Sequence, residues 1–185
     1  APVKILDRRF IVVACGNYYT VAIDEERNLW GCGSNSKGQL GQTTKIHQLT
    51  FERFKTDRKF VSISCGTSHT TAVDTEGQIW TCGRSQSGRL GLERLNNQEQ
   101  INELTLVPLP GSKFISVSCG DYHTLALDKQ LQLWVCGSNR HGQLGLHNVD
   151  KSSPVFTKVP IGNVTTLMNQ PRTRVFFYEG LCRIL

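Results

Sequence analysis

Six of the seven cysteines in this 185-residue chain fall on a fixed pattern, and thiols in such numbers can hold a metal or pair as disulfides. Cys15, Cys65 and Cys119 are each followed 17 positions later by Cys32, Cys82 and Cys136, and every one of the six precedes a glycine. Zinc sites usually take two ligands from one short turn, yet no Cys-x-x-Cys pair exists. The odd total and the lack of a secretion-signal pattern argue against a disulfide framework. The cysteines end apolar alternations such as Val61-Ser62-Ile63-Ser64-Cys65. A reduced cysteine packs there as a small core residue, and neither a metal nor another cofactor is expected.

Histidine is the next candidate. His69 and His123 share one position, four residues past Cys65 and Cys119, but the corresponding residue after Cys15 is Tyr19. A general base or metal ligand does not survive that exchange, so these side chains are expected to bond backbone groups of a neighbouring strand. Thr20, Thr70 and Thr124 are read the same way, and Trp30, Trp80 and Trp134 as packing between units. No Ser-His-Asp order, phosphate loop or paired carboxylates stand out, so hydrolytic or transferase chemistry has no support. Cys182-Arg183-Ile184-Leu185 resembles a carboxy-terminal prenylation box whose final leucine favours geranylgeranyl. Cys182 is therefore a lipidation candidate if Leu185 is the natural end, although it also falls on a strand position; one lipid anchors only reversibly.

The elements that position these residues come from internal repetition. Residues 10–41, 60–91 and 114–145 align without gaps, and insertions fall only in the connectors between them. Each copy opens with a period-two strand such as Phe60 to Cys65, after which Gly66 supplies a flexible turn. A second strand follows at His69 to Val73. Asp74-Thr75-Glu76-Gly77 then turns the chain into a hairpin partner at Gln78 to Cys82. Arg27 and Leu131 replace Gly77 in the other copies, which predicts altered or strained turns there. Gly88-Arg89-Leu90-Gly91 and its counterparts form a further bend around a buried leucine. Leu104 to Leu109 and Pro154 to Val159, each near a proline, are candidates for an outer edge strand. Four strands per unit make a propeller blade. The reading is an all-β chain, a single repeat domain over 1–185, forming a partial β-propeller of three full blades and a degenerate half-repeat at 154–185. In that tail Met168 takes the cysteine position, Val175 that of Ala72 and Gly180 that of Gly77.

The net charge of +6 gives a mild preference for acidic partners. Lys45, Arg53, Lys55, Arg58 and Lys59 cluster in the first connector and read as a solvated loop, since no nucleic-acid-binding motif accompanies them. A nucleic-acid partner is not expected. No stretch approaches the roughly 20 apolar residues of a membrane span. A cytoplasmic or nuclear location is expected, with membrane association only through Cys182.

The units Cys-Gly-x-x-His-Thr-x-Ala-Val-Asp, Leu/Ile-x-Trp/Cys-Gly-x-Asn and Gly-Gln-Leu-Gly resemble the repeats of the regulator of chromosome condensation family. The resemblance covers roughly residues 2 to 182 and implies a seven-bladed propeller, of which this chain holds half the repeats. Self-association is one way to complete such a ring. It implies two functional classes: binding or regulation of a small GTPase by Ran-type nucleotide exchange, or a non-catalytic scaffold. Positions that vary among repeats on a fixed framework are where binding is grafted. They include Asn17, Tyr18, Ser68, Asp121, Tyr122, Arg140 and His141, and at Asp121 exchange-active relatives carry acidic residues.

Overall fold

The computed structural model describes residues 8–44, 46–93, 98–147, 151–162 and 164, together with the backbone of 175–178 and 181–184. Three four-stranded antiparallel sheets follow one another along the chain. Blade one consists of β1 (Phe10–Cys15), β2 (Tyr19–Asp24), β3 (Leu29–Gly33) and β4 (Gln48–Arg53). Blade two consists of β5 (Phe60–Cys65), β6 (His69–Asp74), β7 (Ile79–Arg84) and β8 (Gln100–Leu106). Blade three consists of β9 (Phe114–Cys119), β10 (His123–Asp128), β11 (Leu133–Ser138) and β12 (Ser152–Lys158). The expected outer strands exist, but β8 and β12 begin upstream of Leu104 and Pro154. Pro154 stands exposed within β12, an edge strand where its missing N–H breaks no ladder.

Registers repeat as faithfully as the sequence does. Val73 faces Ile79 across the β6–β7 hairpin, as Ile23 faces Leu29 and Leu127 faces Leu133. The turn chemistry explains this. Asp74 Oδ1 accepts the backbone N–H of Glu76 at 3.0 Å and of Gln78 at 2.8 Å, closing the loop on its own side chain. Gly77 has φ +77°, and Arg27 and Leu131 follow it at +68° and +59°. The strained form of the expectation therefore holds: both non-glycine residues adopt the left-handed conformation, and the turn is unchanged.

A different glycine needs a different explanation. Gly66 does not carry a positive φ; it is glycine because the His69 ring lies on it, 2.1 Å from where a Cβ would stand. Gly16 and Gly120 lie equally close to the rings of Tyr19 and His123.

The apolar core lies between blades. One cluster joins Val21, Leu29, Leu40 and Phe54 of blade one to Phe60, Ile63 and Cys82 of blade two, and a second joins Ile79 and Val107 to Phe114, Val117 and Phe156. Each such buried side chain contributes about 1.5–3 kcal/mol, so a blade is stabilised chiefly by its neighbour. The bend leucines Leu40, Leu90 and Leu144 are all buried. Trp80 and Trp134 pack against these two inter-blade clusters, as expected. Each of the three indoles also donates to an aspartate of its own blade at 2.8 Å, and Trp30 and Trp134 meet Phe10 and Phe114 of that same blade edge-on. The tail forms a hairpin of β13 (Val175–Tyr178) and β14 (Leu181–Ile184). An unaltered copy would pair Phe176 with Cys182, whereas the hairpin pairs Phe177 with Cys182. Met168 and Gly180 lie outside the described residues.

Candidate protein-interaction face

The junction between blades is built from backbone carbonyls and the side chains that repeat. Thr70 Oγ1 donates to the carbonyl of Gln39, in the bend of blade one, at 2.6 Å, and Cys82 Sγ approaches the same oxygen at 3.5 Å. One blade on, Thr124 Oγ1 donates to the Arg89 carbonyl at 2.7 Å, with Cys136 Sγ at 3.6 Å. Cys65 Sγ points at the carbonyl of Ala14, and Cys119 Sγ at that of Ser64. All six patterned cysteines are free thiols. Burial pushes the Cys82 thiol up to about 12 and raises Cys65, Cys119 and Cys136 as well. Protonated and enclosed, these four thiols are poor nucleophiles.

The Tyr/His position stitches each blade to the next, as its polar role predicts. The Tyr19 hydroxyl lies within hydrogen-bond reach of the carbonyls of Gly66 and His69, which share its single proton. His69 Nε2 lies 3.0 Å from Thr124 Oγ1. The single hydroxyl proton of Thr124 goes to Arg89, so His69 must donate from Nε2, which leaves a buried Nδ1 without a partner among the described residues. Burial, and then the charges of Arg89 and His123, hold His69 down to about 3. It is a neutral framework group.

This frame brings two sets of loops to one end of the blades. The turn after β1 accepts the residue leaving β3: the carbonyls of Tyr18, Ser68 and Tyr122 take the N–H groups of Ser34, Arg84 and Ser138. The bends that follow β3 therefore lie beside the β1–β2 turns. Asn17, Tyr18, Asp121, Tyr122, Arg140 and His141 are exposed there, and Ser68 is half-buried. Asp121 and Tyr122 of blade three meet the blade-two bend; Asn17 and Tyr18 stand at one end of the arc, and Arg140 and His141 at the other.

Arg89 joins this group although its sequence position gave no warning. It replaces the glutamine of Gly-Gln-Leu-Gly, a change that reads as drift. Its guanidinium carbon lies 4.8 Å from the Tyr122 ring centroid, Nε donates to Gln86 O at 2.7 Å, and Nη1 reaches Asp121 O at 3.5 Å. Burial and then Arg84 lower it to about 10, opposed by Tyr122 and Asp121, so it stays a cation at neutral pH. The arginine thus orients Tyr122, which remains 49% exposed.

The basic connector needs a correction. Arg53 and Lys55 are solvated, but Arg58 pairs with Glu76 at 2.9 Å and Lys59 donates to Asn28 of blade one at 2.8 Å. Lys45 lies outside the described residues. Cys182 falls on β14, opposite Phe177.

Four-stranded blades joined side by side through a carbonyl-clamped seam define the β-propeller class of repeat proteins. Two models of the regulator of chromosome condensation (RCC1) repeat match, one over residues 28–73 and 76–127, the other over 10–39, 60–89 and 114–143. The chain belongs to this RCC1 repeat family. It is similar to a Homo sapiens protein named "Probable E3 ubiquitin-protein ligase HERC3", 50% identical over 143 residues, covering 77% of this chain and 13% of the relative. It is also similar to the RCC1 repeat-containing protein C10F6.04 of Schizosaccharomyces pombe, 31% identical, with 75% and 42% covered. Among solved structures it is similar to Prp20p of Saccharomyces cerevisiae, at TM-score 0.73 and 19% identity, covering 83% of this chain and 39% of that one. The chain spans less than half the length of each. By family and fold it carries a protein-interaction module.

Proposed function

We propose that this chain recruits a protein partner on the rim formed by its β1–β2 turns and bends, for ubiquitin transfer of the kind HERC3 is named for. The observation that carries the reading is the Arg89–Tyr122–Asp121 group. Among the described residues no carboxylate forms an ion pair with Arg89, whose guanidinium instead holds an exposed tyrosine in place, and rigid aromatic anchors of this kind dominate protein interfaces. The likeness to HERC3 over most of the described residues supports it. The test is capture of proteins from a eukaryotic extract by the wild-type chain and by a Tyr18→Ala, Tyr122→Ala double variant with an unchanged circular-dichroism spectrum. Loss of the captured set on the double variant is expected; retention of every captured protein would place binding elsewhere.

A second reading is binding of a small GTPase with Ran-type nucleotide exchange. Asp121 favours it, being an exposed carboxylate on the rim, as does the likeness to Prp20p, whose structure was reported with its binding properties to Gsp1p and histones. Failure to accelerate nucleotide release from Ran across a wide concentration range removes it and leaves scaffold binding intact. Prenylation of Cys182 belongs to the same proposal on condition that Leu185 ends the natural chain. An unmodified intact mass from eukaryotic cells would eliminate it.

A further inference from the structure

At the opposite end of the strands each blade carries a second repeated cluster. In blade one Trp30 Nε1 donates to Asp24 Oδ2, and Arg8 covers the indole with its guanidinium carbon 4.7 Å from the ring centroid. Arg8 Nη1 lies 3.1 Å from the same carboxylate oxygen and 3.8 Å from Glu26. Blade two repeats the arrangement: Arg58 covers Trp80 at 5.4 Å, 4.0 Å from Asp74 and 2.9 Å from Glu76.

Blade three keeps the receptor and lacks the occupant. Trp134 Nε1 donates to Asp128 Oδ2 at 2.8 Å, as its counterparts do. The position of Arg8 and Arg58 is Ser112, and that of Glu26 and Glu76 is Gln130, so cation and second acid are missing together. Asp128 Oδ1 accepts the N–H groups of Gln130 and Gln132, both at 2.9 Å. Among the described residues its Oδ2 takes only the indole proton, which leaves the lone pair that Arg8 uses in blade one. Among the described residues no guanidinium lies over Trp134. A side chain at Gly111, next to Ser112, would meet nothing within 4 Å.

We propose that Trp134 and Asp128 form a seat for an arginine side chain of a protein partner, stacked on the indole and bonded to Asp128 Oδ2. The two filled copies define the ligand chemistry: a planar guanidinium can stack and bond at once, which an ammonium does less well. Lys113 follows Ser112 and Lys129 follows Asp128 in the chain, and the Lys129 N–H donates to the Lys113 carbonyl, so two cationic residues join the segments that carry the seat. The arginine of the partner is therefore accompanied by an acidic residue, restoring the Arg–Glu pair that blades one and two supply themselves. The seat does not depend on the rim reading, because it lies at the other end of the sheet.

The test follows the three indole N–H resonances of the whole chain, assigned with Trp→Phe variants, during titration with the dipeptide acetyl-Arg-Glu-amide. The Trp134 resonance should move with saturation in the millimolar range, while Trp30 and Trp80, already covered, stay still. Acetyl-Lys-Glu-amide should act several-fold more weakly and the norleucine analogue not at all. Ser112→Arg should fill the seat and abolish the Trp134 response, and Arg58→Ser should give Trp80 a response of its own. Equal movement of all three indoles, or a Trp134 response that survives Ser112→Arg, would overturn the assignment.

Discussion

His69 shows how a framework residue can look like a catalytic one. Its ring is fully buried, donates from Nε2 to Thr124 and is depressed to about 3 by its enclosure. In the unfolded chain the same imidazole titrates near pH 6.5, so protons bind the unfolded state preferentially. Its neutral form stabilises the fold fully above about pH 6.5, and that contribution is lost as the pH falls toward 3, at about 1.4 kcal/mol per unit. Tyr19 fills the same position in blade one and bonds the next blade without titrating in this range. His69→Tyr should therefore fold, and between pH 7 and pH 5 it should lose about 2 kcal/mol less than the wild type by urea unfolding. Parallel losses in the two proteins would show that His69 does not set the acid sensitivity. A second residue-scale effect concerns the left-handed turns. Arg27 is exposed at φ +68°, so Arg27→Gly should raise stability by about 0.5–1 kcal/mol. Leu131→Gly should gain less, because Leu131 packs against the Leu127, Leu133 and Val135 cluster; thermal midpoints distinguish the two.

The strands were legible where turn chemistry repeats. Asp74, Gly77 and their counterparts punctuate the chain at constant spacing, and the period-two runs between them leave little choice of register. The outer strands were less legible. β4 shows no alternating burial and ends among charges, because an edge strand packs on one side only and its sequence is free to vary. The candidate site was half legible in its geometry. Tyr18, Asp121 and Tyr122 stood out as variable turn residues, but Arg89 did not, since its effect depends on the turn of the following blade, 32 residues away. The seam was legible in its donors, since Thr70 and Thr124 bond backbone carbonyls as their repeated position implied, but not in its acceptors: the carbonyls of Gln39 and Arg89 leave no trace in sequence. The Cys-Gly pair was read as a flexible turn when its true constraint is space. Gly66→Ala would put a methyl group 2.1 Å from the His69 ring and 2.7 Å from the Gly120 carbonyl. It should cost at least about 2 kcal/mol, whereas Gly162→Ala, with nothing within 4 Å, should be near neutral. Equal effects in denaturant unfolding would refute the packing explanation.

At the scale of the whole molecule, the described residues fill two copies of the seam and leave the β1 side of blade one exposed. Ile63 and Val117 are each 4% exposed where a preceding blade covers them, while their counterpart Val13 is 58% exposed. Cys15 is exposed and Cys32 half-buried, where Cys65, Cys82, Cys119 and Cys136 are enclosed. Thr20 and Cys32, the counterparts of Thr70 and Cys82, stand on that face, and among the described residues no bend carbonyl of another blade receives them. A face with these donors in this register fits another blade of the same pattern, and a second copy of the chain is one source of it. Maleimide labelling mapped by peptide mass spectrometry reads its state directly. In dilute native protein Cys15 should react first and Cys32 more slowly, with the four enclosed thiols reacting only on unfolding, since both access and thiolate fraction are withheld from them. If copies complete one another, Cys15 should become protected as concentration rises, in step with a doubling of mass by light scattering. Doubling without protection would put the contact on another surface. Reactivity and mass that stay constant to high concentration would exclude self-association and leave a blade from elsewhere to cover Val13.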